Sequence, residues 1–193
     1  MTYAKPAQEL KLVISIGANI PSKLGDPIRT IAATRPLIEK SIRDWNVVFN
    51  YPKIQQDNHD IFLSFKWAPL FETDPLGGPS DQPKFINTVL LVEGDGFETI
   101  NPNKKAAISL MKKFLELEKM AGRARLTSDP YGGPRPLDID FLCWGELHVN
   151  TETLILPHPR LSERNFVLIP LTEVLSKTQG KPRRIKPQDI WPE

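Results

Sequence analysis

Apolar and polar positions alternate in blocks that read as a short list of elements. The run LVISIG at residues 12–17 is continuous, of strand length and closed by Gly17, the pattern of a short buried strand. Asp26-Pro27 then supplies a helix cap and a proline at the first helical position. A helix is expected from there through Ile31 and Ala32, kinked or split at Pro36. The stretch from Asn46 to Asp60 is polar and reads as an insertion. IFLSFKWAPLFET and FINTVLLVE read as two strands separated by the loop DPLGGPSDQPK. Asn101-Pro102 repeats the cap-and-proline signal. The helix after it sets Ala107, Leu110, Met111, Phe114 and Leu117 on one stripe and stops near Gly122. A strand through LDIDFLC follows, then a hairpin around Gly145-Glu146 and a final helix near Val167 to Leu175. The order β-α-β-β-α-β predicts an α+β, ferredoxin-like core: an antiparallel sheet with helices on one face, plus a C-terminal hairpin and helix. The domain is expected over residues 10–176, with a tail at 1–9 and a proline-containing tail or linker at 177–193.

Composition narrows the class. At 193 residues the chain is one domain with tails, and its net charge of +2 gives no argument for a nucleic-acid partner. A single cysteine excludes a disulfide framework and any cysteine-based zinc site. Cys143 falls on the apolar side of its strand and reads as core. No apolar run approaches a membrane span and no signal-peptide core opens the chain, so a cytoplasmic protein without a membrane partner is expected. The 19 prolines predict long, shaped loops, because apolar content remains 40%.

The stretch GGPRPLDIDFLCW contains the sharpest chemical signal. Strand alternation puts Asp138 and Asp140 on one face and Leu137, Ile139, Phe141 and Cys143 on the other. Two adjacent carboxylates repel, and aspartate suits a strand poorly, so a bound dication is the natural reason for the pair. Arg123, Arg125 and Arg135 lie on the glycine- and proline-rich loop just before this strand, and His158, Arg160 and Arg164 lie downstream. Guanidinium groups beside metal-binding carboxylates suit a polyphosphate. No Walker loop or protein-kinase motif set is present, so any nucleotide is held without a helix-terminal phosphate cradle. On the other strand, Phe85 and Asn87 share a face, and a ring plane beside an amide edge suits a flat heterocycle. Each feature has a plainer reading: solvated arginines, an edge strand blunted by charge, a core phenylalanine beside a loop-bonded asparagine.

Together SIGANI, TDPLGGPSDQPKFIN, GRAR, GPRPLDIDFL and LPHPRLSERNFVLIPL, in that order from about Leu12 to Val174, resemble the 6-hydroxymethyl-7,8-dihydropterin pyrophosphokinase family of folate biosynthesis. The resemblance implies transfer of diphosphate from ATP to the pterin hydroxymethyl group, with two Mg2+ ions and release of AMP. It implies Asp138 and Asp140 as metal ligands, with Arg123 and Arg135 joining them as catalytic residues. It implies Glu118, Arg123, His158 and Arg164 as ATP contacts. Thr73, Leu76, Phe85, Asn87, Asp138 and Phe166 would form the pterin pocket, the two phenylalanines sandwiching the ring. The family's partners are ATP and the pterin, and some members are fused to dihydropteroate synthase or dihydroneopterin aldolase; an isolated domain is expected to be monomeric. Departures from the common family pattern are Phe85 for tyrosine, Pro159 for tyrosine, Asp74 for proline, and Tyr131-Gly132-Gly133 for a tryptophan-glycine pair. The competing classes are a nucleotidyltransferase, which would release pyrophosphate, and a non-catalytic pterin- or nucleotide-binding module.

Overall fold

The computed structural model describes residues 11–57, 62–94, 102–124, 132–161 and 165–175. The expected tails and Asn101 lie outside these residues. The ordered elements are β1 (Leu12–Ala18), α1 (Pro27–Asp57), β2 (Ser64–Trp67), β3 (Phe71–Thr73), β4 (Phe85–Glu93) and α2 (Lys104–Met120). They continue with β5 (Asp138–Trp144), β6 (Val149–Asn150), β7 (Ile155–Leu156) and α3 (Asn165–Leu175). One sheet has the order β2-β4-β1-β5, all antiparallel, with β3 also pairing β4. This is the expected ferredoxin-like α+β arrangement. The expected single strand IFLSFKWAPLFET is two, because Pro69 cannot donate to the ladder and interrupts it between β2 and β3. Ala68 N still donates to Val89 O at 2.9 Å, and Thr88 Oγ1 to Ala68 O at 2.8 Å, so both pieces stay on β4.

Helix α1 starts where expected, with Asp26 Oδ1 accepting from Arg29 N at 2.9 Å. It is neither split at Pro36 nor ended at Asn46; it runs on to Asp57. Pro36 lies on the exposed side, where water can satisfy the carbonyl its missing N–H leaves open. The polar segment after Trp45 is half buried instead of looped out: Asn50 Nδ2 donates to Asn46 Oδ1 at 2.9 Å, so two buried amides one turn apart satisfy each other. Trp45 locks this helix to α2 through Nε1, which donates to Ala106 O at 3.0 Å, and packs edge-on against Trp144. The cap of α2 is Asn103 rather than Asn101, its side chain accepting from Ala106 N at 2.9 Å. Ala107, Leu110 and Phe114 are buried on the expected stripe, with Met111 and Leu117 at its margin.

Helices α1 and α2 cover one sheet face, and α3 packs on the opposite face against Val13, Val89, Leu91 and Leu142. That two-sided cover explains why all seven residues of β1 are buried. The register of β5 against β1 slips by one residue at Leu142, a bulge that turns Cys143 away from Ile139 and Phe141 to the α3 side. Cys143 is therefore packed as expected but on the other face, and burial pushes its thiol pKa up. The two-stranded pair is β6 with β7, closed around Thr151–Leu154; Gly145-Glu146 is only the turn that leaves β5.

Candidate active site

Helix α3 leaves one end of its sheet face uncovered, and the site is built there. Gly17 of β1 stands between Asn87 of β4 and Asp138 of β5, Ser15 is opposite Asp140, and Thr73 of β3 is opposite Phe85. Alternation points all of these side chains the same way. They floor a cleft of about 980 Å³ whose walls include Leu76, Arg123, Gly132, Arg135, His158 and Phe166. Ten of the twelve residues to which the resemblance gives a role thus share one cavity: Thr73, Leu76, Phe85, Asn87, Arg123, Arg135, Asp138, Asp140, His158 and Phe166. Arg164 and Arg125 lie outside the described residues.

At one end of the cleft Asn87 Nδ2 donates to Thr73 Oγ1 at 2.8 Å, which leaves the amide oxygen facing Gly17. A Cβ on Gly17 would come within 2.5 Å of that oxygen, so glycine is what permits this amide to lie flat on the sheet. Phe85 presents its ring beside the amide, and Phe166 enters from α3. The guanidinium of Arg135 lies 4.8 Å from the centre of the Phe85 ring, a cation–π stack. Asp74, at the rim, is exposed and pairs with Lys84, whose ammonium also reaches Glu72 at 3.3 Å.

At the other end, the aspartates are not left to repel one another. Arg123 Nη1 donates to Asp138 Oδ1 and, at 2.8 Å, to Glu118 Oε1. Arg135 Nε lies 2.8 Å from Asp138 Oδ2, close enough for an ion pair although its N–H is not aimed along that line. Burial alone would push the Asp138 pKa up, but the charges of Arg135 and Arg123 outweigh it and hold the carboxyl below its ordinary value. Burial likewise opposes charge on Arg123, and Asp138, Glu118 and Asp140 overcome it, so its pKa is raised. Glu118, expected as an ATP contact, is not in the cleft. Its side chain is 2% exposed, and it sits behind the wall, accepting also from Ile139 N at 2.8 Å.

Two residues that carried no assigned role in the sequence tie the loops together. Asn19 Oδ1 accepts from Arg135 N at 2.7 Å, while its Nδ2 donates to Gln82 Oε1 at 3.1 Å and Pro83 O at 3.0 Å. Gln82 Nε2 donates to Gly77 O at 2.9 Å and Gly132 O at 3.0 Å. The loop bearing Leu76 and the loop bearing Arg135 are therefore latched to the end of β1 and to each other. Gly78 and Gly132 meet backbone to backbone at this junction, both with positive φ. No local sequence signal marks the latch, since the bonds that join one loop to another link residues 50 to 116 apart. His158 is fixed by its N–H to Leu142 O at 2.8 Å, and its Nδ1 accepts from Arg160 N at 3.2 Å. Arg160, to which the resemblance gives no ATP contact, also lines the cleft.

Among the described residues no three His, Cys, Asp or Glu side chains converge on a point. Two hard carboxylates on one strand face suit Mg2+, which keeps several waters and is completed by substrate phosphates, better than a metal that needs a full protein cage.

Residues 13–176 match the family described as 7,8-dihydro-6-hydroxymethylpterin-pyrophosphokinase. The chain belongs to this family. Among relatives of the pyrophosphokinase family, the 2-amino-4-hydroxy-6-hydroxymethyldihydropteridine pyrophosphokinase of Bacillus subtilis is 34% identical over 114 residues, 59% of this chain and 60% of the relative. The protein of the same name from Pseudomonas aeruginosa is 36% identical over 107 residues, 55% of this chain and 58% of the relative. The mitochondrial "Folate synthesis bifunctional protein" of Pisum sativum is 29% identical over 168 residues, 87% of this chain and 26% of the relative. The matched region thus spans about three-fifths of the bacterial relatives' length and about a quarter of the pea protein's. No helix among the described residues is long and apolar enough to cross a membrane.

Proposed function

We propose that this chain transfers the β,γ-diphosphate of ATP to the hydroxymethyl oxygen of 6-hydroxymethyl-7,8-dihydropterin, releasing AMP, as a step of folate biosynthesis. The observation that carries this reading is the convergence on one bare sheet face of a heterocycle-sized slot and a carboxylate–guanidinium cluster. Phe85 and Phe166 would sandwich the pterin, with Asn87, Thr73 and the backbone at Leu76 reading its polar edge. The amide of Asn87 is already oriented by Thr73, so little ordering is left to occur on binding. The hydroxymethyl oxygen would attack the β-phosphorus as the bridging oxygen leaves with AMP. Because the transition state asks for position and charge more than covalent help, Arg123 and Arg135 carry the protein's share by meeting charge that spreads over the transferring group. His158, and Arg164 from outside the described residues, would steady the phosphates. Asp138 and Asp140 would hold two Mg2+ ions, which would neutralise negative charge on the phosphate groups. Asp138 stays ionised at neutral pH, as such a ligand must.

The bacterial relatives carry the name of this activity, and the pea relative is called bifunctional, which supports both the reaction and a setting in which such a domain is joined to another folate enzyme. The isolated domain is read as a monomer. Incubation with ATP, Mg2+ and 6-hydroxymethyl-7,8-dihydropterin, with the nucleotides separated afterwards, tests the proposal. AMP and a pterin diphosphate are expected. ADP, pyrophosphate with a nucleotidylated product, or no turnover overturns it.

A further inference from the structure

The buried carboxylate of Glu118 points inward from α2, away from the cleft it was expected to serve. One oxygen, Oε1, takes both Arg123 Nη1 and Ile139 N at 2.8 Å. Strand β5 is the edge of the sheet, so the outward N–H of Ile139 has no neighbouring strand to bond. Glu118 fills that gap and at the same time fixes the strand that carries Asp138 and Asp140. Arg123 in turn is pinned from three directions: Glu118 behind, Leu137 O at 3.3 Å beside, and Asp138 in front. With only 17% of its side chain exposed, this guanidinium depends on neighbouring charge to stay in place.

Resting on the transfer reading above, we propose that Glu118 is a positioning residue for the reaction, acting through Arg123 and Ile139 without touching the nucleotide. Asp138 faces the cleft, where an incoming cation competes with Arg123 for its carboxylate and an incoming phosphate competes with it for the guanidinium; Glu118 does not line the cleft. When Asp138 is taken up by ligand, Arg123 keeps one buried anionic tether and turns toward the transferring group instead of leaving the wall. A neutral residue at 118 removes that tether. Arg123 is then held in the empty site by Asp138 and the Leu137 carbonyl, with Asp138 its one remaining anionic hydrogen-bond partner of the two, and is misplaced in the loaded site.

The test uses Glu118→Gln, which preserves volume and an acceptor for Ile139 N, with Arg123→Ala and the double variant. Affinity for the Mg2+ complex of a non-hydrolysable ATP analogue and the single-turnover transfer rate are measured for each. For Glu118→Gln, nucleotide affinity should stay within about threefold of wild type. The transfer rate should fall about ten- to a hundredfold, the usual cost of losing a group that orients another. In the Arg123→Ala background the same change should have no further effect on rate, because the residue it acts through is gone. Nucleotide affinity falling in step with the rate, or two independent rate losses, overturns the proposal in favour of direct contact. An unchanged rate per folded molecule with a lowered melting temperature overturns it in favour of a purely structural role. Glu118→Asp, which keeps the charge but withdraws it by one methylene, predicts the same split and serves if the amide variant does not fold. If wild type makes no AMP, the transfer reading itself has failed. The tether is then still tested by the side-chain NMR signal of Arg123, which should broaden or average in Glu118→Gln and would overturn the proposal by staying put.

Discussion

Replacing Gly17 with alanine should weaken pterin binding while leaving the fold and the nucleotide site intact. The added Cβ would sit 2.5 Å from Asn87 Oδ1. Non-bonded contacts of this kind settle near about 3.5 Å, so the amide must retreat by roughly 1 Å. It cannot do so and keep its 2.8 Å bond to Thr73 Oγ1. Both neighbours are short-tethered: Thr73 and Asn87 stand on adjacent strands, two residues out of direct register and so on the same face. The slot therefore loses the orientation of one amide and one hydroxyl, a cost of about 1–3 kcal/mol in the complex. That corresponds to a loss of roughly five- to 150-fold in pterin affinity. Stability pulls the other way. Gly17 lies in regular strand, and alanine there is favoured over glycine by about 0.5–1 kcal/mol, which offsets part of the crowding. Pterin titration by calorimetry, with an ATP analogue titrated in parallel, separates the two. Pterin affinity within about twofold of wild type, or an equal loss of nucleotide affinity, would show that the Gly17–Asn87 contact does not shape the slot.

Three further outcomes are expected. Asn19→Ala removes three side-chain bonds that join the two loops and should lower unfolding stability by about 1–3 kcal/mol in a urea titration, with most of the rate loss recovered by neither higher ATP nor higher pterin. Asp138 has a folded pKa below its ordinary 3.8, so its contribution to stability is complete above that value and disappears as pH falls through the lower folded value; Asp138→Asn should cost stability at pH 7 and nothing in strong acid, read from unfolding free energies across pH. Arg135→Ala should slow single-turnover transfer by about a hundredfold or more with little change in the ATP dissociation constant, while Arg29→Ala, at an exposed site with 71% of its side chain in solvent, changes neither.

The order of elements was legible because each helix and strand carries its own periodicity and punctuation: the Asp26-Pro27 start, the α2 stripe, the alternation that sets both aspartates on one face. What was not legible depended on tertiary partners. The polar end of α1 reads as an insertion only until Asn46 and Asn50 are seen to bond each other beside Trp45. Pro69 divides a strand that hydropathy runs together. The bulge at Leu142 reverses the facing of Cys143, and no sequence signal announces it. At the site, residue types with conspicuous chemistry were found, and residues whose job is to hold others were not. Gly17, Asn19 and Gln82 act through contacts across 50 or more residues, and Glu118 has the charge of a ligand contact but the burial of a brace.

The aspartate pair also takes on a different meaning once its surroundings are counted. Two carboxylates on one strand face look like stored repulsion awaiting a metal. In the protein, Asp138 is already between two guanidinium groups, and Arg123 also feels Asp140. A cation arriving alone must compete with those arginines, whereas a cation arriving with a triphosphate offers them new anionic partners. Nucleotide-free protein should therefore bind Mg2+ or Mn2+ poorly, and Arg135→Ala, which removes one competitor at 2.8 Å from Asp138, should tighten that binding by about tenfold. The sign is opposite to its effect on the transfer rate, so a general disruption of the site cannot imitate both. Mn2+ titration followed by electron paramagnetic resonance, without nucleotide, gives the number directly. Equal or weaker Mn2+ affinity in Arg135→Ala would mean that the arginines do not guard the carboxylates, and that metal and nucleotide have no reason to arrive together.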